Sequence, residues 1–317
     1  MMMFEGGKDF YKFAFQDRIM KMFDFTTNTE DLIKEGNGPL YRKIDNKIFP
    51  SPCTKDVVES SKRMHVREDD IFVVSFPKSG NTWCRHIALQ LVNNDYYNGF
   101  VDQFYESPII ECFGGDVIEL LSSPRILKTH FDYEDIPKGG KYIFAIRNPK
   151  DVIVSYYHHH KNFEHYQFSN GNFNLFFDLF MKGQNEYGCY FEYLKGWLQH
   201  LKDDNVLFIK YEDMCKDLES YVKKIGNFIG GNAVDSINDE EKLKHIVDNS
   251  KIENMQKGVP QIVIETTMNP KFFRKGGSRD WKNYMSREQS DMVDKKFNEY
   301  FKDTDVGEWW KEELAWE

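Results

Sequence analysis

The chain has 317 residues, long enough for one large α/β domain or two smaller ones. Its net charge of −9 disfavours nonspecific binding to nucleic acid or to an anionic membrane, so any phosphate site needs a local basic cluster against the global sign. Five scattered cysteines, Cys53, Cys84, Cys112, Cys189 and Cys215, lack the paired spacing of a zinc site and read as free thiols in a reducing compartment.

Charged residues interrupt Met1 to Arg18, so the segment has no apolar signal-peptide region. No stretch reaches the ~20 apolar residues of a membrane span. The expectation is a soluble, cytoplasmic protein with no membrane and no nucleic-acid partner. Phe10, Phe13, Phe15, Met20, Met22, Phe23 and Phe25 form either a core-covering layer or a pocket rim. Tyr41–Ile44 and Ile48–Pro50 suggest short extended pieces, and Lys55 to Met64 a short helix. Ile71 to Phe76 is a Val-, Ile- and Phe-rich run that reads as a buried strand stopped by Pro77. Lys78-Ser79-Gly80-Asn81-Thr82 is a polar turn, and Trp83, Ile87 and Leu91 with Cys84 and Ala88 then follow helical spacing, with a stop at Asn93-Asn94-Asp95.

A second short strand is expected over Arg125 to Thr129, ending at His130, and a third over Lys141 to Ile146. A helix from Asp151 follows, capped by Asn148 or Asp151. Asn172 to Lys202 reads as helical with a break near Gly183 and Tyr187-Gly188, and Val206 to Tyr211 as a fourth strand. Leu218 to Ile229 is amphipathic, with Leu218, Tyr221, Ile225 and Phe228 on one face. Glu240 to Ile252 and Ser286 to Phe301 read as helices, the latter with Met292, Val293, Phe297 and Phe301 near helical spacing, while Gln256 to Phe272 reads as loop. Alternating strands and helices imply an α/β fold: one central, mostly parallel sheet with helices on both faces. One domain is expected over 1–317, with 1–65 as lead-in and pocket rim, 66–285 as the binding and catalytic core, and 286–317 as C-terminal helix and tail.

In such sheets ligands sit beyond the carboxyl ends of the strands. Strand, turn and helix at Lys78 to Trp83 point backbone N–H groups and a helix dipole at an anion. Gly80 allows close approach, and Lys78, Ser79 and Thr82 add donors. The order is not the Gly-Lys-Ser/Thr of a Walker A loop. Arg147 at the end of the third strand can grip a phosphate at two points, with Ser155 more than two helical turns on. His130 lies beside Lys128, and an imidazole suits general-base work near neutral pH. Phe273-Arg274-Lys275-Gly276-Gly277 is a flexible, cationic anion clamp. The bland readings are a solvated turn, a satisfied structural histidine and a buried tyrosine at Tyr211. His158-His159-His160 carries no metal reading, because adjacent helix residues point apart, and no metal is expected.

Taken together these segments resemble the cytosolic sulfotransferases. Pro77-Lys78-Ser79-Gly80-Asn81-Thr82-Trp83 resembles that family's 5′-phosphosulfate loop, with Asn81 where a threonine is usual. Leu127-Lys128-Thr129-His130, Tyr142 to Tyr157, Tyr211-Glu212-Asp213-Met214 and Arg274-Lys275-Gly276 with Asp280-Trp281-Lys282 match in order, from about Phe72 to Lys282. The resemblance implies transfer of a sulfuryl group from 3′-phosphoadenosine 5′-phosphosulfate (PAPS) to a hydroxyl or amine of a small acceptor. It implies His130 as general base, Lys78 at the bridging oxygen and Lys128 on the sulfuryl oxygens. It further implies that Arg147, Ser155, Arg274, Lys275 and Gly276 hold the 3′-phosphate, and that Tyr211, Trp83 and the Ser250–Ile252 segment hold the adenosine.

Further positions depart from the family. Ile252 stands where an aromatic stacks on the adenine, and Arg279 replaces a glycine, putting the loop conformation in doubt. Lys282, Ser286, Arg287 and Asp291 stand in the dimer motif, where Arg287 replaces an apolar valine and leaves a homodimer open. Phe49, Phe104, Phe131, Tyr157 and Phe163 are the expected acceptor lining, suited to a phenol or an apolar alcohol. A catalytically weak nucleotide-binding protein of the same fold, a dehydratase variant and an ATP-dependent P-loop enzyme are the alternatives.

Overall fold

The computed structural model describes residues 7–22, 29–93, 103–258 and 276–317. Among the described residues seven strands form two sheets: β1 Leu32–Ile33, β2 Tyr41–Ile44, β3 Lys47–Pro50, β4 Ile71–Val74, β5 Ile126–Thr129, β6 Lys141–Ile146 and β7 Val206–Lys210. The first three make an antiparallel sheet, and the other four a wholly parallel one in the order β5-β4-β6-β7. The register pairs Val74 with Thr129 and with Phe144, and Ile146 with Lys210, so the strands end together.

Two-residue periodicity divides the parallel sheet between two cores. Ile71, Val73, Ile126, Ile143, Ala145 and Ile209 pack on one side with the helices Asn81–Val92, Leu218–Ile229 and Glu240–Asn249. Phe72, Val74, Leu127, Tyr142, Phe144 and Ile146 pack on the other with Pro149–Asn162, Phe173–Lys182 and Tyr190–Leu198. β4, β5 and β6 are short, largely buried runs, as a doubly covered parallel sheet requires, whereas in the edge strand β7 only Val206 and Ile209 are buried. At the end opposite the site, Arg125 Nε donates to Asp70 Oδ1 at 2.6 Å, with both side chains fully buried, and ties the starts of β4 and β5.

Several expectations change. Leu218–Ile229 is a helix with the expected bounds, but its buried face is Val222, Ile225, Gly226 and Ile229. Leu218, Tyr221 and Phe228 are only partly covered at its edge. The last long helix is Arg287–Phe301 with Ser286 as N-cap; Val293, Phe297 and Phe301 are buried but Met292 is exposed, one position off the inward stripe. Tyr11, Phe15 and Met22 of the Gly7–Met22 helix are buried while Phe10, Phe13 and Met20 are exposed; Phe23 and Phe25 lie outside the described residues. The reading of five free thiols is corrected: Cys53 and Cys112 form a disulfide, their Cα atoms 4.6 Å apart. The Lys55–Lys62 helix packs on the Ile110–Phe113 turn and brings the two together; Cys84, Cys189 and Cys215 are free. Among the described residues no helix is long and apolar enough to cross a membrane.

Candidate active site

A cavity of about 650 Å³ lies at the carboxyl ends of the parallel strands. Lys78, Gly80, Asn81, Thr82 and Trp83 reach it from the turn after β4, Lys128 and His130 from the end of β5, Arg147 and Ser155 from β6 and its helix, and Tyr211 from the end of β7. Ile252 and Gly276 also line it. Arg274 and Lys275 lie outside the described residues. The side chain of Ser79 is buried and not on the wall, and its hydroxyl has no partner. Ser250 is fully buried, its Oγ accepting from Gln90 Nε2 at 3.2 Å.

Gly80 caps the Asn81–Val92 helix with φ +112°, a conformation that side chains resist. A Cβ there would meet Tyr211 Cδ2 at 3.2 Å. Asn81 explains its own departure from threonine: its Nδ2 donates to Val73 O at 2.7 Å and to Thr129 O at 3.4 Å, clasping the last residues of β4 and β5. Its Oδ1 is buried without a hydrogen-bond partner. Trp83 is fixed by an Nε1 bond to Ser250 O at 2.7 Å and stands edge-on to Tyr211, ring centroids 5.5 Å apart.

Arg147 donates to Lys78 O at 3.3 Å and to Gly277 O at 3.0 Å, and its guanidinium lies 4.3 Å from the Tyr211 ring centre. Its Nε is buried without a partner. The turn is held from behind. Glu212 Oε1 accepts from the backbone N and from Nδ2 of Asn148, both at 2.9 Å, and Asn148 Oδ1 accepts from Asp151 N. Asp151 Oδ2 in turn accepts from Ser278 Oγ and from Arg279 N at 2.7 Å, bringing Gly276 and Gly277 to Arg147. Arg279 takes the glycine-like φ of +70° itself, and its guanidinium donates to Ala315 O and Glu317 O of the tail.

His130 Nδ1 donates to Ser75 O at 2.7 Å, which leaves Nε2 as the unprotonated nitrogen. Its backbone N donates to Glu111 Oε1 at 2.7 Å. Burial, then the Lys128 charge, pushes the imidazole well below its usual pKa, so it is neutral at physiological pH. Burial, then Arg85, lowers Lys128 to about 7.

The expected acceptor aromatics lie elsewhere. Phe49 and Phe131 face a second cavity of about 600 Å³, which shares His130 and Tyr187 with the first. Phe104 packs against Phe113, ring centroids 5.5 Å apart, and Tyr157 donates to Gly171 O at 3.0 Å. Phe163 stands behind His159, ring centroids 4.5 Å apart. Those rings fill the large core rather than this wall. In their place are Pro50, Ile109, His159, Tyr166, Glu186 and Tyr187, which come from five segments and carried no signal in the sequence. The three adjacent histidines do diverge: His160 is buried against Tyr41 Oη at 2.8 Å, His159 faces the cavity, and His158 meets the Tyr284 ring edge-on. The dimer-motif residues are engaged within the chain, Arg287 pairing with Asp291 at 3.1 Å and Ser286 capping its helix.

A loop of backbone donors around a glycine, two lysines and an arginine at the ends of a parallel sheet define a phosphoryl- or sulfuryl-nucleotide enzyme site. The sequence profile of the sulfotransferase domain matches residues 68–305, and the chain belongs to the sulfotransferase family as an enzyme. It is 32% identical to human sulfotransferase 6B1 over 267 residues, 80% of this chain and 84% of that one. It is 33% identical to a rabbit amine sulfotransferase over 264 residues, 78% of this chain and 85% of that protein. The crystal structure of mouse sulfotransferase SULT7A1 complexed with PAP superposes with a TM-score of 0.73 at 29% identity, covering 87% of this chain and 100% of that one.

Proposed function

We propose that this protein transfers a sulfuryl group from PAPS to a hydroxyl or amine of a small acceptor. The observation that carries the reading is the single cavity in which the Lys78–Trp83 loop, Arg147, Lys128 and His130 all open. The residues fit the nucleotide: Gly80 holds the turn at φ +112° on the cavity wall, and Arg147 Nε is a buried donor with bonding capacity unused. The loop amides and Lys78 take the 5′-phosphate end. Arg147, Ser155 and Gly276, with Arg274 and Lys275, take the 3′-phosphate. Trp83, Tyr211 and Ile252 hold the adenosine, Ile252 offering an apolar face in place of a stacked ring.

When bound, PAPS supplies an activated sulfuryl group on a phosphate leaving group. His130 Nε2 takes the acceptor proton. Lys78 neutralises charge that builds on the oxygen between sulfur and phosphorus, and Lys128 meets the sulfuryl oxygens. The cavity walls position the two reactants, which is the larger part of catalysis when the protein makes no covalent bond. The reading is tested by sulfate transfer from labelled PAPS to a panel of phenols, alcohols and amines. Activity that falls on Lys78→Ala or Lys128→Ala while folding persists supports it. Nucleotide binding without transfer to any acceptor would return the chain to a binding role.

A further inference from the structure

The acceptor end of the cavity contains a carboxylate that the reaction does not use. Glu186 is 2% exposed and lines the cavity. Its Oε1 accepts from Tyr166 Oη at 2.8 Å. The Tyr156 hydroxyl, which donates to Glu186 O at 3.4 Å, also stands against the carboxylate, but Oε2 is buried and closes no hydrogen bond. The nucleotide end is cationic, with Lys78 and Arg147, while around Glu186 the wall is Pro50, Ile109, His159, Tyr166 and Tyr187. Burial holds His159 well below its usual pKa, so that ring is neutral. The Lys128 ammonium acts on Glu186 through its charge, without a hydrogen bond.

A buried carboxylate oxygen without a partner is costly, and a neutral apolar phenol would leave it so. An ammonium group would pair with it and would also meet the faces of Tyr166 and Tyr187. We propose that the acceptor is a hydroxyl compound bearing an alkylammonium group, and that Glu186 receives that ammonium while the hydroxyl faces His130. Burial raises the Glu186 carboxyl to about 7 in the protein alone, so an arriving cation favours its ionised form. The proposal rests on the transfer reading above and narrows its acceptor class.

The test is a binding comparison. Tyramine and 4-propylphenol, which differ by an ammonium for a methyl, are titrated calorimetrically into PAP-saturated protein. The same titrations are run on Glu186→Gln, which keeps the acceptor for Tyr166. Wild type should bind tyramine at least about tenfold more tightly, and the variant should lose that preference while its affinity for 4-propylphenol stays within about threefold. Equal or weaker tyramine binding by wild type, no binding of either phenol, or a preference that survives in Glu186→Gln overturns the proposal. Thermal stabilisation by PAP checks the variant's fold; should the variant not fold, the wild-type preference alone decides. Labelled transfer to 2-naphthol is measured in parallel. Its loss would count against the sulfuryl-transfer reading, whereas its presence without a tyramine preference would count against Glu186 alone.

Discussion

Gly80→Ala tests whether the turn after β4 is a nucleotide cradle. The backbone there has φ +112°, and the new Cβ would stand 3.2 Å from Tyr211 Cδ2 and 3.7 Å from Ala145 Cβ. Holding a non-glycine residue in so sparse a conformation costs about 1–3 kcal/mol, offset by roughly 0.4–1 kcal/mol from the less flexible unfolded chain. The net loss of stability should be about 1–2 kcal/mol. Any relaxation shifts the loop N–H groups proposed to bind the phosphate. Losing one hydrogen bond to a charged group costs about 1.5–3 kcal/mol, or more than tenfold in affinity. Urea unfolding with and without PAP separates the two effects, because a ligand that binds only the folded state adds RT ln(1 + [L]/Kd). The PAP increment should fall by about 1.4 kcal/mol or more at the same ligand concentration. Gly231→Ala is the control: its φ is +52° with no neighbour within 4 Å, and it does not line the cavity. That variant should lose stability but keep the PAP increment. An undiminished increment in Gly80→Ala would refute the cradle.

Three more outcomes follow from named contacts. Asp70→Asn should destabilise the protein by about 3–5 kcal/mol in urea unfolding, because it leaves Arg125 as a buried charge without its partner. Asn81→Ala should cost about 1–3 kcal/mol by releasing the carbonyls of Val73 and Thr129, read from the urea midpoint. Lys128 loses its proton as pH rises through about 7, so kcat/KM should fall above that pH in wild type, and Lys128→Arg should move the falling limb upward. The sign for stability is opposite. The folded state binds fewer protons at Lys128 than the unfolded chain between about 7 and 10.5, so this group's contribution rises with pH in that window.

The residues expected to hold the nucleotide were legible as one cavity wall because their signals are local. A β-branched run, a glycine turn and a 3.6-residue repeat lie within Ile71–Val92, and each strand end announces itself by a switch from apolar to polar residues. The Lys141–Ile146 strand and the Leu218–Ile229 helix fall where the pattern puts them. The helix face was misjudged because Tyr221 and Phe228 are large enough to look central while covering only the rim. The rest of the cavity wall was not legible. Pro50, Ile109, His159, Tyr166, Glu186 and Tyr187 meet only through tertiary packing, and a high aromatic count cannot say which rings face a cavity when most of them fill a core. Asn81 stood out in the sequence only as a departure from the family's threonine. Its role as a clasp between β4 and β5 depends on two backbone carbonyls brought together by the parallel register.

The most direct measurement of the central claim is labelled sulfate transfer from PAPS to a phenol, alcohol and amine panel, wild type beside His130→Ala, with PAP affinity measured on both. Transfer by wild type that falls by about 10²–10⁴ in His130→Ala, at unchanged PAP affinity, is the predicted result. Undiminished transfer by the variant would contradict the assignment of His130 as the base.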